Sequence, residues 1–166
     1  MTAEEYAEQV KTELGDAWLP HIYRERIRST RTRSYQFEGL TSKRQVEIQH
    51  TLLGVELKAG RRRLLCPDLA TARYLSVFAR AGCEHVAVPY DITRISQLAD
   101  ELESSWHRMF LLAGHNAAGK SEAFHLRIGR ALIGKIRTEI SAAGAGTSVP
   151  LFKQSTKQRT PNSGSF

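Results

Sequence analysis

The sequence has few cysteines and no long apolar run, and each shortage excludes a class of protein. Two cysteines among 166 residues are too few for a disulfide scaffold. The longest apolar runs, such as residues 109–113, are far shorter than the roughly 20 residues of a membrane-spanning helix. The first five residues include Glu4 and Glu5 and lack the apolar segment of a secretory signal. These shortages predict a cytoplasmic protein with reduced thiols and no transmembrane segment.

Acidic residues are also scarce relative to basic ones. The chain has 17 Asp and Glu against 24 Lys and Arg, which gives a formal net charge of +7. Such an excess favours a polyanionic partner, such as nucleic acid or an acidic protein. After residue 143 the chain has no acid and is rich in Gly, Ser and Thr. We therefore predict one domain over residues 1–143 and a flexible basic tail over 144–166, whose apolar segment 149–152 could bind a protein partner.

Hydrophobic periodicity predicts helices at both ends of the domain. Thr2 and Glu5 have the spacing of a capping box, and the apolar residues that follow have helical spacing. Further helices are predicted after Asp68, after Asp91 and over residues 121–143. Met109 continues the apolar face of the helix that begins near Asp91.

The strand pattern lies between these helices. Residues 46–50 alternate in polarity, and a phase shift near Gly54 predicts a bulge, with a returning strand over 61–66. After one crossover helix, the apolar segment 84–89 predicts an internal strand parallel to the preceding one. The predicted fold class is α/β (or α+β): a small mixed sheet with hairpin strands and one crossover helix, flanked by an N-terminal helix and two C-terminal helices.

Basic residues form three clusters that are candidate contacts to nucleic-acid phosphates. Arginine suits this role because its guanidinium group can bind a phosphate with two hydrogen bonds. Tyr23, Tyr35 and Phe37 accompany the first cluster and could stack on bases. The leading prediction is a non-enzymatic protein that binds RNA, DNA or a nucleoprotein complex, and one alternative is an adaptor subunit of a larger assembly. The candidate residues are Arg24, Arg26, Arg28, Arg31 and Arg33 in an exposed arm or short helix extension that leads into a strand near 35–38, Lys58, Arg61, Arg62 and Arg63 at a hairpin, and Arg127 and Arg130 on the last helix.

Residues 114–121 match the pattern G-x-x-x-x-G-K-[ST] and resemble the Walker A loop of P-loop NTPases. The resemblance implies that Gly114 and Gly119 shape a phosphate-binding loop, that Lys120 contacts the phosphates of ATP and that Ser121 binds Mg²⁺. A P-loop follows a strand, whereas residues 109–112 continue a helical stripe. The other interpretation is a helix–helix connection in which Lys120 and Ser121 open the last helix.

The order helix–strand–strand–strand–helix–strand between Thr2 and Pro89 resembles the core of the PD-(D/E)xK nuclease-like fold. The resemblance rests on topology and implies carboxylates and a lysine that bind Mg²⁺ and activate water. Glu56 and Lys58 match the E-x-K pattern, and Asp68 ends the next strand, in the reverse of the family's order. A degenerate nuclease is therefore a further alternative. The histidines show no metal-ligand spacing, and no catalytic residue or cofactor is predicted outside these two resemblances.

Overall fold

Helices make up most of the chain that the computed structural model describes, which is residues 1–36 and 45–146. A 3₁₀ turn at Gly15–Ala17 and a π-helical segment at Tyr23–Arg28 flank the shortest helix. The helices are α1 (Ala3–Leu14), α2 (Leu19–Ile22), α3 (Leu69–Arg80), α4 (Ile92–Asn116) and α5 (Glu122–Ala143). Within the described ranges, no helix is long and apolar enough to cross a membrane.

The predicted helix starts are confirmed by side-chain caps. Thr2 and Glu5 form the capping box of α1, and Asp68, Asp91 and Ser121 each accept a hydrogen bond from a backbone N–H in the first turn of α3, α4 and α5. These caps satisfy N–H groups that have no partner inside the helix. Short polar side chains therefore fix where the four long helices begin.

The strands form two small antiparallel sheets. The first sheet has the order β2-β3-β4 and the second pairs β1 with β5. The strands are β1 (Thr32–Gln36), β2 (Val46–Thr51), β3 (Gly54–Ala59), β4 (Arg62–Cys66) and β5 (His85–Pro89). Mixed helix and strand content, the hairpins and the flanking helices confirm the predicted α/β class.

The predicted parallel pairing of the strands on either side of α3 is wrong. The strand β5 pairs instead with β1, with Thr32 opposite Pro89. At the other edge of β5, the N–H of Ala87 donates to the Tyr23 hydroxyl (2.9 Å) and the carbonyl of Ala87 accepts from the Tyr74 hydroxyl (2.6 Å). Two phenol groups thus take the place of a neighbouring strand's backbone, so the expected single mixed sheet divides into two antiparallel sheets.

The predicted bulge at Gly54 is a hairpin turn. Thr51 is the last residue of β2 and lies opposite Gly54, so that Leu52 and Leu53 form a two-residue turn. The Thr51 hydroxyl accepts from the N–H of Leu53 and donates to the carbonyl of Gly54. Gly54 has a φ of 130°, which residues with a side chain rarely adopt. The sequence does not indicate this turn, because its two residues are exposed leucines, whereas turn residues are usually polar.

Of the two interpretations of the arginine-rich segment, an exposed arm or a short helix extension, the structure has the second as far as Arg28, and the apolar side chains of the segment enter the core. Tyr23 and Ile27 are fully buried, and the Tyr23 ring packs edge-on against Phe78 at 5.5 Å between centroids. The Tyr23 hydroxyl also donates to the carbonyl of Gly144 at 2.6 Å, which holds the chain after α5 against the domain. The prediction that Tyr23 stacks on a base is therefore wrong, because its ring is part of the core.

Candidate nucleic-acid interface

The five arginines of the predicted arm divide into two groups. Arg24 Nη1 lies 3.4 Å from Glu139 Oε1, and Arg26 forms an ion pair with Glu101. Arg28 Nε donates at 3.0 Å to the carbonyl of the last residue of α5. These three side chains attach the π-helical segment to α4 and α5. The charges of Arg24 and Arg26 are paired with carboxylates, whereas Arg28 bonds to a neutral carbonyl.

Arg31 and Arg33 form the second group and lie beside the exposed ring of Tyr90. The guanidinium carbons of Arg31 and Arg33 are 5.3 Å and 5.7 Å from the Tyr90 centroid, and Arg33 is also 5.3 Å from the Tyr35 centroid. These are cation–π distances. The antiparallel pairing creates the arrangement, because Thr32 opposite Pro89 places its two arginine neighbours next to the residue that follows β5.

A groove of about 500 Å³ borders Tyr90, and Arg94 enters it from the first turn of α4. Arg94 Nη2 donates to the carbonyl of Arg26 at 2.5 Å, which fixes the direction of the guanidinium group. Asp91 also lines the groove, and its carboxylate accepts the N–H of Thr93 as the cap of α4. We call Arg31, Arg33, Tyr90 and Arg94 the Tyr90 patch.

The arginines of the Tyr90 patch keep their charge available. Within residues 1–36 and 45–146, the ion pairs involve other basic residues, and none joins Arg31, Arg33 or Arg94 to a carboxylate. The Nε atoms of Arg33 and Arg94 are buried without a hydrogen-bond partner in the same part of the chain. A guanidinium group that lacks an internal counter-ion attracts an external anion more strongly than a paired one does.

Half of the Tyr90 patch was absent from the sequence-based prediction. The arginine cluster identified Arg31 and Arg33, but Tyr90 and Arg94 stand more than 50 positions further along the chain. Their approach depends on the pairing of β1 with β5, and the sequence gives no local signal for that pairing. Phe37, the other predicted stacking residue, lies outside the described residues.

The hairpin cluster lies on the other sheet and contains paired charges. Lys58 and Arg63 are opposite each other on β3 and β4, and Arg63 Nη1 lies 2.9 Å from Glu56 Oε1. Arg61 and Arg62 are exposed at the turn. Among the described residues, Arg61 and Arg62 form no ion pair, and the cluster, unlike the Tyr90 patch, has no aromatic ring in cation–π contact.

The residues that resemble the nuclease motif have structural partners. Glu56 is paired with Arg63, and Asp68 caps α3 by accepting the N–H of Thr71 at 2.7 Å. Among the described residues, no three His, Cys, Asp or Glu side chains are grouped so that they could hold a metal ion. The donor set therefore does not fit the Mg²⁺ site that the resemblance implies.

Arg127 and Arg130 are exposed on α5, near an apolar groove between α4 and α5. Arg127 lies over the ring of Phe124, at 5.3 Å from its centroid. The groove has a volume of about 390 Å³, and Phe110, Leu126 and Arg130 are among its lining residues. An adaptor role stays a prediction. The predicted apolar segment of the tail, 149–152, lies outside the described residues.

The segment that matches the Walker A pattern joins two helices. Gly114 lies inside α4, and the preceding residues 109–113 are helical, as their apolar stripe predicts. Gly119 has a φ of 88°, Lys120 Nζ lies 5.7 Å from the Phe124 centroid, and the Ser121 hydroxyl accepts the N–H of Phe124 at 3.1 Å. A P-loop needs a strand before the loop. Here the Ser121 hydroxyl is already committed to the start of α5.

The role of Ser121 can be tested by substitution. Ser121→Ala is expected to lower the free energy of unfolding by about 1 kcal/mol, because α5 loses its cap, whereas Ser121→Asp should retain the cap and the stability. Thermal denaturation followed by circular dichroism measures the difference as a fall of about 2–4 °C in Tm. A rise in Tm with MgATP that Lys120→Ala abolishes would instead support the P-loop interpretation.

Known proteins give no guide to this surface. Comparisons with protein-family models, with curated proteins and with solved structures found no match to the chain. The chemistry of the described residues is therefore the basis for assigning a function.

Proposed function

We propose that the protein binds nucleic acid through the Tyr90 patch and acts as a binding protein rather than an enzyme. The observation that supports this is the grouping of three arginines around an exposed aromatic ring, where none of the three is paired with a carboxylate of the described residues. Arginine side chains contact phosphates, and aromatic rings contact bases, in proteins that bind nucleic acid. The net charge of +7 adds long-range attraction to the same ligand.

The Tyr90 patch suits a phosphate ligand better than the paired arginines of the other clusters do. Arg24, Arg26 and Arg63 would have to leave carboxylates before they could bind a phosphate, and such exchange gains little free energy. Arg31 and Arg33 have no such pair to break in the described part of the chain. The Arg94 guanidinium is held in place before a ligand arrives, which reduces the entropy lost on binding.

The proposal predicts that two arginines at the Tyr90 patch matter more than two arginines elsewhere. The double variant Arg31→Ala/Arg33→Ala should bind at least about tenfold more weakly, because one lost charge-assisted hydrogen bond alone is worth about 1.5 kcal/mol. Fluorescence anisotropy with labelled RNA and DNA, in a series of salt concentrations, gives the affinity. The slope of log K against log salt should also become shallower by about one to two.

The matched control is Arg127→Ala/Arg130→Ala, which removes the same charge from α5. Its affinity should stay within about threefold of the unsubstituted protein, because both proteins keep the Tyr90 patch. Equal losses in the two double variants would show that net charge alone attracts the ligand. Absence of salt-sensitive binding in the unsubstituted protein would remove the proposed function itself.

A further inference from the structure

We propose that the nucleic acid recognised at the Tyr90 patch is single-stranded, with one unpaired base stacked on the platform that Tyr90 forms with the arginines over its ring. This inference rests on the proposed function and specifies its ligand. The exposed ring, the position of the two guanidinium groups and the size of the groove each support it.

The Tyr90 ring is available for stacking although it follows a buried strand. Tyr90 is 42% exposed, whereas the strand residues immediately before it, from Val86 to Pro89, are buried. An exposed tyrosine next to positive charge is typical of surfaces that bind unpaired bases, since every base has a flat face that can stack on a ring. Bases inside a duplex are stacked on each other and cannot reach such a ring.

The guanidinium groups extend the stacking surface beyond the ring. Arg31 and Arg33 each lie over an aromatic ring at 5.3 Å, on Tyr90 and on Tyr35 respectively. A guanidinium plane supported by an aromatic ring can itself stack on a base, and its N–H groups still reach the neighbouring phosphates. The aromatic ring and the guanidinium planes therefore stack on the base of a nucleotide, and the guanidinium N–H groups bind its phosphate.

The volume of the groove is that of a site for one nucleotide rather than of a surface that binds a double helix. Its volume of about 500 Å³ lies within the range of pockets that hold small molecules. Arg94 contributes a positive charge to its lining and Pro89 an apolar surface. The Asp91 carboxylate at the same groove repels phosphate, so we expect the phosphates to lie towards Arg31 and Arg94 and the base towards Tyr90.

The experiment compares Tyr90→Leu with Tyr90→Phe on single-stranded and duplex oligonucleotides of equal length and sequence. Tyr90→Leu should weaken single-strand binding by about tenfold, because the base loses the aromatic ring on which it stacks. Tyr90→Phe should retain the affinity, since its ring remains. Duplex binding should be weaker than single-strand binding and unaffected by either substitution. The side chain is exposed, so both variants should fold, which circular dichroism checks.

A second readout reports on stacking directly. A single strand with 2-aminopurine at one position should lose fluorescence when it binds the unsubstituted protein, and should lose less with Tyr90→Leu. Equal binding of single strand and duplex, with no effect of Tyr90→Leu, would overturn the inference and leave the proposed function standing. Binding that polyglutamate displaces as well as nucleic acid does would overturn it too, since it would indicate a general anion surface. Failure to bind any oligonucleotide at low salt would overturn both proposals.

Discussion

Replacing Tyr23 with phenylalanine is expected to lower the free energy of unfolding by about 2–3 kcal/mol, although the substitution removes a single oxygen atom. That oxygen accepts from the N–H of Ala87 at 2.9 Å and donates to the carbonyl of Gly144 at 2.6 Å. Without it, the N–H of a buried strand loses its partner, and an unpaired buried donor costs about 1–3 kcal/mol. The expected fall in Tm is about 5–10 °C for a chain of this length.

Two other tyrosines provide matched controls for the same change. Tyr74→Phe leaves only the carbonyl of Ala87 without its hydroxyl partner and should cost about 1 kcal/mol. Tyr90→Phe removes an exposed hydroxyl and should change Tm by less than about 2 °C. Urea denaturation followed by tryptophan fluorescence gives the three values. If Tyr23→Phe were as stable as Tyr90→Phe, the hydroxyl would not close the edge of β5.

The local parts of this fold are predictable from the sequence, because they depend on neighbouring residues. Thr2, Asp68 and Ser121 mark helix starts by capping chemistry that acts over three residues. Alternation identifies β2 and β3, and the turn after β3 predicts β4 as the returning strand. The pairing of β5 is not predictable in this way, because Tyr23 and β1, which cover its two edges, are both distant in sequence. The sequence around Tyr23, which is rich in arginine, does not indicate that the Tyr23 hydroxyl bonds to the backbone of β5.

The candidate site, like the fold, can be predicted from the sequence only in part. The arginine arm identifies Arg31 and Arg33, but it equally suggests Arg24 and Arg26, whose carboxylate partners stand on α5 and α4. Only tertiary structure separates charges that hold the domain together from charges that remain available. The Tyr90 patch is therefore a product of strand pairing, which brings a tyrosine and two arginines of unrelated segments to one place.

The protein is expected to lose stability as the pH rises from about 9 to about 12. Burial raises the pKa of the Cys66 thiol from 9.0 to about 12, and the nearby Asp68 carboxylate adds to the rise. Burial also raises the pKa of Cys83 to about 12, although the Arg137 charge acts in the opposite direction. Burial raises the pKa of Tyr23 from 10.0 to about 12, and the pKa values of Tyr35 and Tyr74 are raised for the same reason.

The free energy of unfolding changes with pH because the folded and the unfolded chain hold different numbers of protons. Below pH 9 the thiols are protonated in both the folded and the unfolded chain, so stability does not change with pH on their account. Between 9 and about 12 the unfolded chain releases protons that the folded chain retains, and the free energy of unfolding therefore falls. From about pH 10 the buried tyrosines add to the same trend.

Urea denaturation at a series of pH values measures this loss, and variants identify its sources. Cys66→Ala/Cys83→Ala should be less stable at neutral pH, because two buried side chains are shortened, but its stability should fall less steeply above pH 9. Tyr23→Phe should lose less stability between pH 10 and 12 than the unsubstituted protein. A free energy of unfolding that is constant up to pH 11 would contradict burial of these groups. A double cysteine variant with an unchanged slope would show that the thiols do not contribute, and would leave the buried tyrosines as the cause.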